Sequence, residues 1–244
     1  MSTAAPLLEA RGLAKRYRKR LVLEGVDIDV GPKETVGLLG PNGAGKSTSF
    51  GILAGLLRPT AGSVFYAGRD ITALPVDERA RLGVCLLPQE RSVFATLSVI
   101  DNVKAVLELQ NEPAATISDK AYSYLEDMGL GDLALQAATS LSGGELRRLE
   151  IARTLVLRPQ VLLLDEPFAA IDPITVGELK EVMARLCADG ISLVISDHNV
   201  RETLAACDRG YILLEGKVLC AGTPDELAAD QRVRDSYLGK DFVI

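Results

Sequence analysis

Apolar and polar positions along this chain repeat with two different periods. Thr35–Leu39, Val84–Leu87, Val161–Leu164, Ser192–Ser196 and Tyr211–Glu215 are short, almost wholly apolar runs bounded by turn residues. Runs of that length without alternation suit strands buried on both faces of a sheet. Stretches with helical spacing lie among them, at Lys46–Leu53, Pro173–Ala188 and Asn199–Ala206. Strands alternating with helices predict an α/β fold around a mostly parallel sheet. Leu7–Leu13, Leu21–Val30 and Gly62–Tyr66 read as further strands with turn residues between them, and Glu215-Gly216-Lys217 as a hairpin turn. The pattern changes between about residues 91 and 157. There Val99–Leu109, Ser118–Met128 and Glu145–Leu157 have helical spacing, with Gly129 placed as a C-cap. This predicts a helical subdomain at 91–157 inserted into a core made of residues 1–90 and 158–244. Pro224–Leu238 closes the chain with short helices, and no internal repeat or low-complexity tract interrupts it.

The chemistry-bearing residues cluster where predicted strands end. GPNGAGKS, at Gly40–Ser47, follows one apolar run and precedes a helix. Gly40, Gly43 and Gly45 let the backbone wrap a polyphosphate, with Pro41, Asn42 and Ala44 completing the loop. Lys46 can reach the β- and γ-phosphates, the Ser47 hydroxyl can ligate Mg2+, and Thr48 extends the set into a helix whose N-terminus attracts anions. Asp165 and Glu166 end the apolar run Val161–Leu164. Carboxylates at the C-terminal edge of a parallel strand lie where such sheets bind ligands. Asp165 would hold Mg2+ through water, and Glu166 would polarise an attacking water. Leu141–Glu145 reads LSGGE and opens a helix, so Ser142, Gly143, Gly144 and Glu145 form a second anion-binding nest. One nucleotide needs one phosphate loop, so a second nest implies a second protein surface. Gln89 follows the run Val84–Leu87. His198, the only histidine, follows Ser192–Ser196. A lone histidine reads either as a structural residue or as one facing the nucleotide, and its place past a strand end favours the nucleotide.

Taken in order, these motifs resemble those of the nucleotide-binding subunits of ABC transporters over essentially the full chain. The resemblance implies a single ATP-binding domain with a P-loop NTPase (RecA-like) core, a mostly parallel sheet, an antiparallel β subdomain beside the nucleotide and the inserted helical subdomain. It makes Gln89 the Q-loop residue, LSGGE the signature, Ala169–Asp172 the D-loop and His198 the switch histidine, and it places Tyr17 against adenine. It implies ATP and Mg2+ as cofactors, with Ser47, Gln89 and Asp165 around the metal. Two copies would pair head to tail, each ATP lying between Gly40–Ser47 of one and Ser142–Gly144 of the other, with Glu166 as general base and His198 at the γ-phosphate. Glu145 stands where glutamine is commonest, and the D-loop begins with two alanines. Neither departure removes a group that contacts phosphate.

Net charge −6 argues against a nucleic-acid partner. The basic run at Arg16, Arg18, Lys19 and Arg20 reads as a solvated loop in preference to a phosphate-attracting one. Cys85, Cys187, Cys207 and Cys220 show no paired spacing, which speaks against disulfides and metal clusters and fits a reducing compartment. The N-terminal stretch lacks the pattern of a signal peptide, and no apolar run approaches the roughly 20 residues of a membrane span. Contact with a membrane would then come only through partner chains.

Within that family the sequence is similar to the ATPase subunits of lipopolysaccharide export, the LptB family. Leu86–Val103, Asp165–Ile174, Ser196–Leu204 and the tail Tyr237–Phe242 carry the likeness, with Asp197–Leu204 and the tail as its discriminating parts. It implies a homodimer on the cytoplasmic face of the inner membrane, bound to two transmembrane permease subunits of the LptF/LptG kind. Each permease would push a coupling helix into a groove lined by Phe94, Leu97, Val99 and Val103. The same four could instead be helix core. Ile100 replaces an expected aromatic, and the segments Glu112–Ile117 and Val243–Ile244 differ from those family members. The nearest rival is the ATPase of a branched-chain amino acid importer. A more distant one is an ABC ATPase acting on ribosomes or DNA, which the single nucleotide domain and the acidic balance disfavour.

Overall fold

The computed structural model describes residues 5–239 and 242; of the sequence features above, Lys240, Asp241, Val243, Ile244 and residues 1–4 lie outside the described residues. Among the described residues, ten strands form two sheets: β1 (Leu8–Tyr17), β2 (Arg20–Val30), β3 (Thr35–Leu39), β4 (Ala61–Tyr66), β5 (Arg69–Asp70), β6 (Val84–Leu87), β7 (Val161–Asp165), β8 (Ser192–Ser196), β9 (Arg209–Leu214) and β10 (Lys217–Gly222). The principal helices are α1 (Lys46–Ala54), α2 (Val76–Leu82), α3 (Val99–Leu109), α4 (Ala114–Asp127), α5 (Gly143–Leu155), α6 (Pro173–Ala188), α7 (Val200–Ala206) and α8 (Pro224–Ala229).

The larger sheet has the order β10-β9-β3-β8-β7-β6. Its ladders from β9 to β6 are parallel, and β9–β10 is an antiparallel hairpin. The fold is thus the predicted α/β class. β3, β6, β7 and β8 run the same way, so the loops that follow them share one edge, where α/β sheets bind ligands. The register pairs Leu164 with Ile195 and Asp165 with Ser196, which brings the segment after β7 beside the segment after β8. The smaller sheet, β2-β1-β4-β5, is antiparallel and packs against the larger through a shared apolar core that includes Leu23, Val26, Leu38, Phe50 and Leu163.

Several elements depart from the sequence expectation. α2 and β5 were not anticipated, because α2 has seven residues and its one deeply buried side chain is an arginine, Arg79. α4 starts at Ala114, directly after Pro113, rather than at Ser118. α5 starts at Gly143 rather than Glu145, because Ser142 caps it reciprocally with Glu145. Gly129, at φ 66°, lies just past the C-cap Met128 of α4 in the left-handed conformation that a glycine after a helix supplies.

α3, α4 and α5 surround a second core with Val99, Val103, Leu107, Leu125 and Leu149. Val99 and Val103 are fully buried there. The expected groove is corrected accordingly: these two valines lie on the face of α3 turned toward α4 and α5, and only Phe94, exposed, and Leu97, half-buried, remain at the surface. Helical spacing shows that an apolar stripe exists; it does not show whether core or partner covers it.

Candidate active site

The loop between β3 and α1 is shaped by glycines that no other residue can replace without movement. A β-carbon on Gly40 (φ 146°) would lie 2.2 Å from the Leu213 carbonyl oxygen, and one on Gly45 (φ 109°) 2.5 Å from Leu23. Lys46 Nζ donates to the carbonyl oxygens of Gly40, at 2.6 Å, and Pro41, at 3.1 Å, folding its side chain across the loop. Burial holds the Lys46 ammonium below its ordinary pKa, against the opposing pull of Glu166, Asp165 and Asp197. An open cleft of about 260 Å³ lies over this loop. Tyr17, Asn42, Gly43, Gly45, Lys46, Ser47 and Thr48 line it, while Gly40 and Ala44 are buried behind it and Pro41 is half-buried. Arg20, Val22 and Glu166 also line it. Arg16, Arg18, Lys19 and Arg20 are all exposed, as the solvated reading expects; β2 begins at Arg20, whose guanidinium comes near Gly43, and Arg18 is a turn residue at φ 52°.

Across the cleft, β7 ends in Asp165. Burial raises the Asp165 carboxyl above the ordinary value, and the neighbouring Glu166 and Asp197 carboxylates add to the rise. Glu166 takes a left-handed conformation (φ 45°), its N–H donating to the Ser196 carbonyl at 2.6 Å. That constraint turns its side chain toward Gln89, whose Nε2 donates to Glu166 Oε2 at 2.7 Å. His198 Nδ1 lies 3.6 Å from the same oxygen and 3.4 Å from Asp197 Oδ1. One carboxylate therefore sits between an amide from the β6 loop and an imidazole from the β8 loop.

Two framing residues escaped the sequence reading. Asp197 is fully buried, and its two oxygens accept from the Phe168 N–H and the Asn199 N–H, both at 2.9 Å. It ties the loop after β7 to the loop after β8, and its place beside His198 in ISDHN was the available signal. Arg147 is buried on α5 and donates to the carbonyls of Pro88 and Asp165 and to Glu150. A charged residue at a core-facing helical position was the signal for it.

The structure separates the four signature residues. None lines the Lys46 cleft. Ser142 is exposed, and its Oγ accepts from the Glu145 N–H at 3.3 Å. Glu145 Oε2 accepts from the Ser142 N–H at 2.7 Å, and that bond holds its carboxyl below the ordinary range. Gly143 is exposed beside a second cleft, shared with Gln89, Arg147 and Glu166. Gly144 is buried against α6. Phe94 stacks under the Arg153 guanidinium at 4.6 Å, and Asn102 fixes its backbone through both N–H and C=O.

Comparison with known proteins agrees with this arrangement. The ABC transporter family model matches residues 23–169, more than half of the chain, and a model of the branched-chain amino acid ATP-binding cassette transporter matches residues 217–243. The lipopolysaccharide export system ATP-binding protein LptB of Acidithiobacillus ferridurans is 51% identical over 238 residues, covering 98% of this chain and 99% of that protein. The protein of the same name from Escherichia coli K12 is 46% identical over 236 residues, covering 96% and 98%. Among solved structures, the ADP conformation of MJ1267, an ATP-binding cassette of an ABC transporter, superposes with a TM-score of 0.88 at 25% identity, covering 97% of this chain and all of that one. The chain belongs to the ABC transporter family, as an ATP-binding, ATP-hydrolysing subunit.

Proposed function

We propose that this subunit works as a head-to-tail homodimer that drives lipopolysaccharide extraction from the inner membrane. The observation that carries the dimer is the separation of the two anion nests: Gly40–Ser47 frames the cleft, which neither Ser142 nor Gly143 lines, and Gly143 borders a second cleft instead. Each cleft is completed by the other molecule's Ser142 hydroxyl and helix N-terminus. Tyr17 stacks on adenine, and Lys46, with Arg20, holds the phosphates. The Asp165 carboxyl, raised by burial and by its acidic neighbours, suits a site that a divalent cation neutralises, and Ser47, Gln89 and Asp165 would hold Mg2+ there. Bound Mg2+ would offset charge on the β- and γ-phosphates. Glu166 orients a water and takes its proton as the water oxygen attacks the γ-phosphorus. The bond to the bridging oxygen breaks, leaving ADP and phosphate. His198 holds the γ-phosphate and is itself held by Asp197.

Transport of lipopolysaccharide is supported by the relatives named LptB, which match almost from end to end. The branched-chain match falls on the C-terminal segment that includes Tyr237–Phe242, so that tail does not discriminate between the two transporters. A pair of permeases of the LptF/LptG kind would dock at Phe94 and Leu97, placing the subunit peripherally on the cytoplasmic face. Among the described residues no helix is long and apolar enough to cross a membrane. Glu166→Gln tests the ATPase part: it should bind ATP, hydrolyse it at least about a hundredfold more slowly and accumulate as a nucleotide-bound dimer. Turnover near that of the parent would overturn the assignment. Purification from membranes with the native partners tests the rest: permeases joined to a lipopolysaccharide-binding bridge support it, and co-purifying amino acid permeases refute it.

A further inference from the structure

The N-terminal turns of α5 and α6 in one molecule meet along three successive contacts. A β-carbon on Gly143 would lie 3.4 Å from the carbonyl oxygen of Ala170. A β-carbon on Gly144 would lie 1.8 Å from Thr175 Cγ2. A turn further along both helices, Arg148 pairs with Glu178 at 2.5 Å. Thr175 has two roles through its two branches. Its methyl fills the space that the missing Gly144 side chain leaves, and its Oγ1 donates to Asp172 Oδ2 at 2.6 Å. Asp172 in turn caps α6, Oδ1 accepting from the N–H groups of Ile174 and Thr175 at 3.1 Å. Gly144 is buried although it opens a helix, because α6 covers it.

We propose that Thr175 is a positioning residue that locks the signature nest, Ser142–Gly144, to the loop Ala169–Asp172 of the same chain, so that both meet the opposing nucleotide as one rigid body. This rests on the head-to-tail reading above. Its consequence concerns Gly144. A side chain there does its first damage inside its own molecule, driving α6 and Asp172 away, before any contact with the partner's ATP is affected.

The test uses the complex purified from membranes, with turnover and thermal midpoint measured for Gly144→Ala, Thr175→Ser, Thr175→Val and the pair Gly144→Ala with Thr175→Ser. Gly144→Ala should lower turnover about tenfold, because overpacking of a closed contact is costly. Thr175→Ser removes the methyl in the way, so the pair should be several-fold more active than Gly144→Ala alone, a strong departure from additivity. Thr175→Val keeps the methyl and loses the bond to Asp172. It should stay folded and lower kcat several-fold with little change in KM for ATP, a split that loss of stability alone would not produce. Full activity of Gly144→Ala, a pair no better than Gly144→Ala, or a Thr175→Val enzyme indistinguishable from the parent each overturns the proposal. ATP-driven dimerisation of Glu166→Gln separates the two readings. If that dimer forms and the rescue fails, only the locking role falls; if no dimer forms, the head-to-tail reading falls.

Discussion

Gln89 and Glu166, 77 residues apart, meet in a 2.7 Å hydrogen bond, the amide Nε2 donating to the carboxylate Oε2. The contact joins the loop after β6 to the loop after β7 at the carboxylate proposed above as the general base. It gives Glu166 an orientation that its left-handed backbone alone does not define, since the side chain keeps free torsions beyond Cα. Gln89→Ala should therefore lower kcat about tenfold, as expected when a general base is left unoriented. In a Glu166→Gln background the same change should add little, because both act through one group. Steady-state ATP turnover of the four enzymes in the assembled complex checks this; simple multiplication of the two losses would show that Gln89 acts elsewhere.

Tyr17 is exposed at the end of β1, beside Lys15 and at the mouth of the Lys46 cleft. Stacking of a base on an aromatic ring contributes about 1–3 kcal/mol. Tyr17→Ala should weaken ATP binding about tenfold, and Tyr17→Phe should bind like the parent, since stacking needs the ring and not the hydroxyl. Titration with a fluorescent ATP analogue measures both, and equal loss in the two variants would show that the phenol oxygen is the recognised group.

The sequence was most legible where burial is total. β3, β7 and β8 are enclosed on both faces, so their residues had to be apolar, and their ends marked the loops that carry Lys46, Asp165, Glu166 and His198. It was least legible where a charged group is buried for a reason that lies far off in the chain. Arg79 and Arg147 belong to no motif, yet each satisfies carbonyls from segments distant in sequence, Ile52 and Leu53 for one, Pro88 and Asp165 for the other. Val99 and Val103 show a different limit: amphipathic spacing gives a direction without naming what lies there. Gly144 shows another, because the same glycine falls in the proposed phosphate nest and in a close helix contact, and a glycine in a sequence does not tell the two demands apart.

Arg79 is fully buried, and its guanidinium donates to the carbonyls of Ile52, Leu53, Thr72 and Leu74. Burial pushes its pKa down to about 10, so it remains charged at neutral pH. Two of the acceptors, Ile52 and Leu53, are among the last carbonyls of α1, where a cation also complements the helix dipole. Arg79→Met leaves those carbonyls buried without donors and should cost about 3 kcal/mol of unfolding free energy. Arg79→Lys keeps charge without the fork and should fall between. Urea unfolding of the three proteins ranks them; equal stability of the methionine variant would mean that water replaces the guanidinium.

Asp165 and Asp29 should respond to pH with opposite signs. Burial raises the Asp165 carboxyl above its ordinary value of 3.8, so its ionised form destabilises the fold at neutral pH. That cost is complete above the folded-state pKa and vanishes below the unfolded one. Asp165→Asn should therefore raise the thermal midpoint of the nucleotide-free protein at pH 7, and the gain should shrink as pH falls toward 4. At Asp29 burial also pushes upward, but hydrogen bonds from Arg209 and Tyr211 outweigh it and the carboxyl ends below 3.8. Its contribution is stabilising, is fully present above about pH 4 and is lost as pH falls through the lower folded value. Asp29→Asn should then lower the midpoint at pH 7 and converge with the parent only in stronger acid. Thermal melts of both variants and the parent from pH 7 to pH 3 resolve the two signs. A stabilised Asp29→Asn would reverse the assignment at the Arg209 cluster, and an Asp165→Asn gain that grows on acidification would reverse it in the cleft, where the proposed nucleotide chemistry would use a carboxylate kept in an unfavourable place.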